Sequence, residues 1–138
     1  MIGAVAPGTL WPRHAGTARE PTDPVEMAVR HFDLIDAGDM QAMVQLFEPE
    51  AVYLRPGYEP LLGRGEILHF YTHVRAIREG WHSIDTAIAW DGQVAVRGGF
   101  SGALHDGRPI DLRFSDFFTV GPNGRFSRRE TFFFAPLA

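Results

Sequence analysis

An α+β fold follows from three observations: a helix-start signature at Asp23-Pro24, a change of hydrophobic period near residue 80, and Gly-rich turns that divide the C-terminal half. Asp23 is the N-cap, Pro24 suits the first helical position, and Glu26 stands where a capping-box acid belongs. Val25, Ala28, Val29, Phe32 and Ile35 then form one helical stripe, closed by Ala37-Gly38. Asp39 can cap a second, shorter helix carrying Met43, Leu46 and Phe47 and stopped by Pro49. Residues 51–55 read as a short strand ended by Pro56-Gly57. A third helix is expected over about 65–79, with Ile67, Phe70, Tyr71, Val74 and Ile77 on one side.

After Gly80 the period becomes two. Strands are expected at 81–90, 93–104, 109–120 and 125–134, separated by Asp91-Gly92, by His105 to Arg108 and by Gly121 to Gly124. Asp-Gly between apolar runs is a strong hairpin signal. Three helices therefore precede an antiparallel meander, and they should pack on one face of a curved sheet. Gly98, Gly99 and Gly102 in one strand mark either a bend or the close approach of a ligand. Residues 1–22 are rich in Gly, Ala, Pro and Thr and are expected to form a poorly ordered arm that Leu10-Trp11 could anchor; residues 23–138 form the domain.

Bulk properties exclude several classes. The 138 residues suit one domain with a real core. A net charge of −4 argues against a nucleic-acid grip, which normally needs a basic excess. With no cysteine there is no disulfide, thiolate nucleophile or Cys-bound metal. No apolar run approaches membrane-spanning length and the N-terminus lacks a signal-peptide pattern, so a cytoplasmic protein is expected. His69 and His73 have the spacing of a zinc pair, but the middle Glu of the protease motif and a third ligand are missing, so no metal is expected. Gly63-Arg64-Gly65 lacks the Lys-Ser/Thr of a phosphate loop.

The residue that speaks most directly of chemistry is Asp116. The strand around it reads Ile110, Leu112, Phe114, Asp116, Phe118, Val120 on one face, an apolar surface with a single carboxyl group in its middle. Such a group must be paired, hydrogen-bonded or kept neutral. It either marks a functional site, or pairs structurally with a nearby arginine, or is turned outward by a bulge. On the opposite face, Phe117 and Phe133 are read as an aromatic patch, which suggests a two-fold homodimer through the sheet.

Three segments carry a resemblance: RHFDLIDAGDMQAMVQLFEPEAVYLRPG at 30–57, GRGEILHFY at 63–71, and HDGRPIDLRFSDFFTVGPNGRFSRRETFFF at 105–134. Their order and spacing resemble the nuclear transport factor 2-like superfamily, in the branch of ketosteroid isomerases, SnoaL-type polyketide cyclases and limonene epoxide hydrolases. The resemblance spans about 24–134 and implies a cone-shaped α+β barrel: three N-terminal helices on a curved, mostly antiparallel sheet with an apolar pocket inside. It also places residues. Asp116 falls where ketosteroid isomerases hold a neutral, hydrogen-bonding Asp, His31 on their oxyanion-hole Tyr, and Tyr71 on a supporting Tyr. Arg55 falls on their general base, a role that an arginine cannot fill at neutral pH. Tyr53 and Arg97 fall on the pocket Tyr and Arg of limonene epoxide hydrolases, while Gly99 and Thr131 stand where those enzymes carry carboxylates. The looser SnoaL pattern, one acid–base residue in a shaped pocket, fits best.

The expected site is therefore Asp116, His31 and Tyr71 as catalytic groups, with Tyr53, Arg55, Arg97, Phe114, Phe118 and Thr131 binding the substrate. Two readings of the arginines stay open. A guanidinium of Arg55 or Arg97 against Asp116 makes an ion-pair network; guanidiniums pointing elsewhere leave Asp116 to donate a hydrogen bond or to orient His31. The expected function is acid–base isomerisation or cyclisation of a small, apolar, oxygenated molecule without a cofactor. The alternatives are a non-catalytic binding or dimerisation module and an epoxide or lactone hydrolase.

Overall fold

The helix start at Asp23 forms as its residues require: the carboxylate accepts the Glu26 N–H at 3.3 Å and Pro24 opens helix α1, Pro24–Asp36. The computed structural model describes residues 23–134, so the expected arm at 1–22 lies outside the described residues. The apolar stripe of α1 buries Met27, Ala28, Phe32 and Ile35, with His31 among them. Asp39 caps α2, Met40–Val44, through the Ala42 N–H at 3.1 Å.

The second helix is shorter than its sequence suggests, because Arg64 competes for its end. The Arg64 guanidinium donates to the carbonyls of Val44 (3.1 Å) and Phe47 (2.7 Å), satisfying groups that a continuing helix would have used. Strand β1 then runs Phe47–Leu54, four residues ahead of its expected start, and contains Pro49. Proline is tolerated there because the pairing of β1 with its neighbour is irregular between Phe47 and Val52. A two-residue strand, β2 (Leu61–Leu62), leads into α3, Gly63–His69.

The third helix also differs from expectation. After His69 the chain takes a π-helical turn over Phe70–Val74, closed by the Arg75 N–H on the Phe70 carbonyl at 3.0 Å. Arg75 is already extended, and β3 (Ile77–Trp90) starts where helix was expected to continue. π turns are rare and often sit at functional sites; this one carries Tyr71.

Strands β4 (Gln93–Leu104), β5 (Pro109–Val120) and β6 (Phe126–Phe133) complete one sheet in the order β2-β1-β6-β5-β4-β3. All neighbours are antiparallel except β1 and β6. The β3–β4 turn has positive φ at both Asp91 (51°) and Gly92 (75°), the conformation that a tight two-residue hairpin demands. The glycines of β4 serve a bend. A Cβ on Gly98 or Gly102 would run into the backbone of β3 at Ser83 or Glu79. The β3–β4 register shifts at both places, between Ile84 and Thr86 and between Ile77 and Glu79. The sheet thus curls over α1, and its inner face meets the helix through Phe32, Phe114 and Phe118. Each such ring contributes about 1.5–3 kcal/mol on burial.

The outer face needs one correction. Asp116 lies opposite Thr131 and Phe114 opposite Phe133, so Phe133 faces inward and Phe132 is the exposed neighbour of Phe117, with ring centroids 5.8 Å apart. Trp81, Ile88 and Trp90 are also exposed along β3. No helix among the described residues is long and apolar enough to cross a membrane.

Candidate functional site

Asp116 is wholly buried, as its apolar strand face requires, and it is paired. Its partner is Arg129 of β6, whose Nη2 donates to Asp116 Oδ2 at 2.9 Å. The Thr131 hydroxyl donates to Asp116 Oδ1. Both carboxylate oxygens are therefore engaged within the protein. The network extends both ways. Thr131 Oγ1 lies 3.0 Å from the Tyr53 hydroxyl, which accepts from Arg55 Nη1 at 3.1 Å. Arg129 Nη1 donates to the Tyr71 hydroxyl at 2.7 Å and to His31 Nε2 at 3.2 Å. Seven side chains, from α1, the π turn, strands β1, β5 and β6 and, for Arg55, the residue just after β1, thus share one chain of hydrogen bonds.

Arg129 is the residue that sequence reasoning missed. In the run Arg128-Arg129-Glu130, Arg128 pairs with Glu130 at 3.6 Å on the surface. Yet Arg129 is only 3% exposed, with its guanidinium carbon 4.4 Å from the Tyr53 ring centre. The signal was available: strand alternation from inward Thr131 puts Arg129 on the same face. The expected His31–Asp116 contact is replaced, because Arg129 stands between them. Arg55 approaches Tyr53 rather than Asp116 and lies 5.3 Å from the ring centres of both Phe70 and Phe133. Arg97 is excluded from the cluster. It points outward and donates to Thr86 at 3.2 Å, because Val94 and Val96 take the inward positions of β4. Phe114 and Phe118 are packing residues: Phe118 meets His31 and Phe126, and Phe114 meets Phe32.

The cluster's electrostatics follow from burial among guanidiniums. For Arg129, burial works against the charge, but Asp116 outweighs it and holds the group well above the usual arginine value. For His31, burial and then the neighbouring Arg129 charge push the imidazole well below 6.5, so it is neutral. Since Nε2 accepts from Arg129, Nδ1 carries the hydrogen, and it has no partner among the described residues. Tyr53 is driven up, chiefly by burial. Tyr71 moves the other way: burial raises it, but Arg129, Arg55 and Arg75 together pull it below 10. Tyr71 accepts from Arg129, which leaves its own O–H to donate.

A consequence concerns acid stability. In the unfolded chain His31 takes its proton near pH 6.5, whereas in the fold it resists. The unfolded state then binds more protons, so stability falls as the pH drops below about 6.5. Chemical denaturation at pH 7 and pH 5 should show a smaller loss for His31→Gln than for the wild type; equal losses would contradict a neutral, buried His31.

A groove of about 720 Å³ lies between the C-terminal end of α1, the start of β3, the end of β4 and the start of β5. Ile35, Phe100 and Ile110 line it, as do Arg75 and Arg78. None of the expected site residues lines it. The link between groove and cluster is Arg75, whose guanidinium carbon lies 4.9 Å from the Tyr71 ring centre. Among the described residues no group of three or more His, Asp or Glu side chains could hold a metal.

Comparison with known proteins agrees with this geometry. The model of the SnoaL-like domain matches residues 28–129. No curated protein matches the chain. Among solved structures, an NTF2-like protein of unknown function from Burkholderia pseudomallei superposes with a TM-score of 0.72 at 20% identity, covering 79% of this chain and 88% of its own. A candidate polyketide cyclase from Xanthomonas campestris gives 0.70 at 17% identity, over 77% and 86%. The epoxide hydrolase/cyclase-like enzyme SalBIII, from pyran ring formation in polyether salinomycin, gives 0.69 at 21%, over 79% and 88%. At these identities the structures share the fold. The bent sheet, the helices it covers and the matched stretch together make this chain a member of the SnoaL-like family, with the NTF2-like fold.

Proposed function

We propose that the protein is an acid–base enzyme that takes a small, apolar, oxygenated molecule into the groove and isomerises or cyclises it through an enolate-like anion, using its own side chains. The observation that carries this reading is the placement of Arg75: it lines the groove, and its guanidinium carbon lies 4.9 Å from the ring centre of Tyr71, whose hydroxyl Arg129 holds at 2.7 Å. A guanidinium on the groove wall stabilises negative charge as it develops on an oxygen, and Tyr71, which does not line the groove, acts through the Arg75 that packs on its ring. Asp116 and Thr131 act one step back, by anchoring Arg129 and, through Tyr53, the Arg55 end of the network.

The direct test is exchange of solvent deuterium into an enolisable bicyclic ketone such as 2-tetralone, followed by proton NMR. Enzyme-accelerated exchange supports the reading. Binding of the ketone without exchange favours the second reading, a non-catalytic binding module. That alternative is favoured by Arg55 standing at the base position and by the complete internal engagement of Asp116.

We also propose that the outer face, with Phe117 and Phe132 exposed beside each other, pairs two copies of the chain. Sedimentation velocity should give a dimer that Phe117→Lys converts to monomer; a monomeric wild type would refute it.

A further inference from the structure

The proposed reaction lacks a base. His31 is sealed in the core, and Arg55 cannot take a proton. A different imidazole meets the requirements. His82, on the inner side of β3, places Nδ1 2.6 Å from Asp36 Oδ1. The other oxygen, Asp36 Oδ2, accepts the His82 backbone N–H at 2.8 Å, so the carboxylate is fixed at two points. The imidazole is fixed as well. Phe32, Phe100 and Phe114 surround it at ring-centroid distances of 4.7, 4.8 and 5.6 Å. His82 is not itself a lining residue of the groove; it adjoins the groove through Asp36 and Phe100, which touch the imidazole and line it, and through its chain neighbours Gly80 and Trp81, which line it too. The pair is not sealed away: the side chains of His82 and Asp36 are 12% and 21% exposed.

We propose that His82 is the general base of this groove and that Asp36 is its positioning residue. The inference rests on the acid–base reading above and supplies the group missing from it. A carboxylate on Nδ1 selects the tautomer whose Nε2 lone pair is free, and it stabilises the imidazolium that forms. The Nε2 lone pair takes the acidic proton from the carbon next to a carbonyl. The C–H bonding pair becomes the C=C of the enolate, and the carbonyl π pair moves to oxygen. The imidazolium then returns a proton to carbon, at the original or a conjugated position, and no electrons leave the system. The substrate class is accordingly a ketone or quinone-like ring compound with an acidic C–H. The apolar wall of the groove, Ile35, Phe100 and Ile110, suits its rings, and Arg75 suits its anion; Arg78 is paired with Glu79 at 3.3 Å, and Asp111 adds a further carboxylate to the lining.

A purely structural role is the rival. Asp36 is the last residue of α1, and a tether from a helix end to β3 would need only the bond to the backbone N–H. The test measures deuterium exchange into 2-tetralone for the wild type, His82→Gln, Asp36→Asn and Asp36→Glu, with circular dichroism to confirm folding. In the wild type, ¹⁵N NMR of the imidazole should show a protonated Nδ1 with a strongly downfield proton. His82→Gln should slow exchange at least 100-fold with ketone binding retained. Asp36→Asn should slow it about 10-fold and lose the downfield proton, and Asp36→Glu should recover part of both. Wild-type exchange that survives in His82→Gln overturns the base assignment while leaving the acid–base reading in place. Absence of exchange in the wild type overturns both.

Discussion

Replacing Arg129 by Met should destabilise the protein by about 3–5 kcal/mol, the usual cost of breaking one side of a buried ion pair. The variant leaves the Asp116 carboxylate buried with only Thr131 as donor, and it removes a partner from Tyr71 and His31 at once. Against a typical total of about 5–15 kcal/mol this is a large fraction. Asp116→Leu should cost a similar amount by leaving the Arg129 charge unpaired. The double variant should cost much less than the sum, because neither stranded charge remains. Urea denaturation of the four proteins measures the coupling directly. Additive losses would mean that Asp116 and Arg129 do not act as a pair.

Tyr71→Phe should lower the rate of enolate formation by up to about 10²-fold, the loss that a displaced anion clamp can cause, because Tyr71 reaches the groove through Arg75 rather than lining it. It removes one oxygen and keeps the ring that packs against Phe70 and beneath Arg75. Ketone affinity should therefore stay within a few-fold, and the effect should fall on turnover rather than on KM. The freed Arg129 Nη1 keeps its contact with His31, so the ion pair with Asp116 persists. Deuterium exchange at saturating ketone distinguishes the two parameters. A wild-type rate in Tyr71→Phe would remove Tyr71 from the mechanism.

Local chemistry made the architecture legible. The Asp23 cap, the Asp91-Gly92 hairpin and the alternation of β5 each depend on residues within a few positions of one another, and each formed as read. Boundaries failed where a distant residue decided them. Arg64 ends α2 by reaching back 17 to 20 residues to two carbonyls, and no local pattern announces that. The π turn likewise keeps the composition of a helix while changing its hydrogen bonds.

The site divided along the same line. Asp116, His31, Tyr53, Arg55, Tyr71 and Thr131 do converge, and the need of Asp116 for a partner was evident from its apolar face. The identity of that partner was not. Arg97 stands on β4 and Arg129 on β6, and both strands pair with β5, so only the inward or outward parity of each arginine separates them. The apolar positions Val94 and Val96 exclude Arg97, and Thr131 admits Arg129. The His82–Asp36 pair joins residues 46 apart, and the sequence around each shows nothing unusual.

The proposed reaction requires the groove to be where a small apolar molecule binds. Two-dimensional ¹H–¹⁵N NMR during titration with 2-tetralone measures this without assuming a reaction. Shifts should concentrate at Gly80, Trp81, His82, Phe100 and Gly102, with smaller changes at Tyr71 and none on the outer-face residues Arg97 and Phe132. Saturable shifts confined to the outer face, or no shifts at millimolar ketone, would mean that the groove is not the binding site.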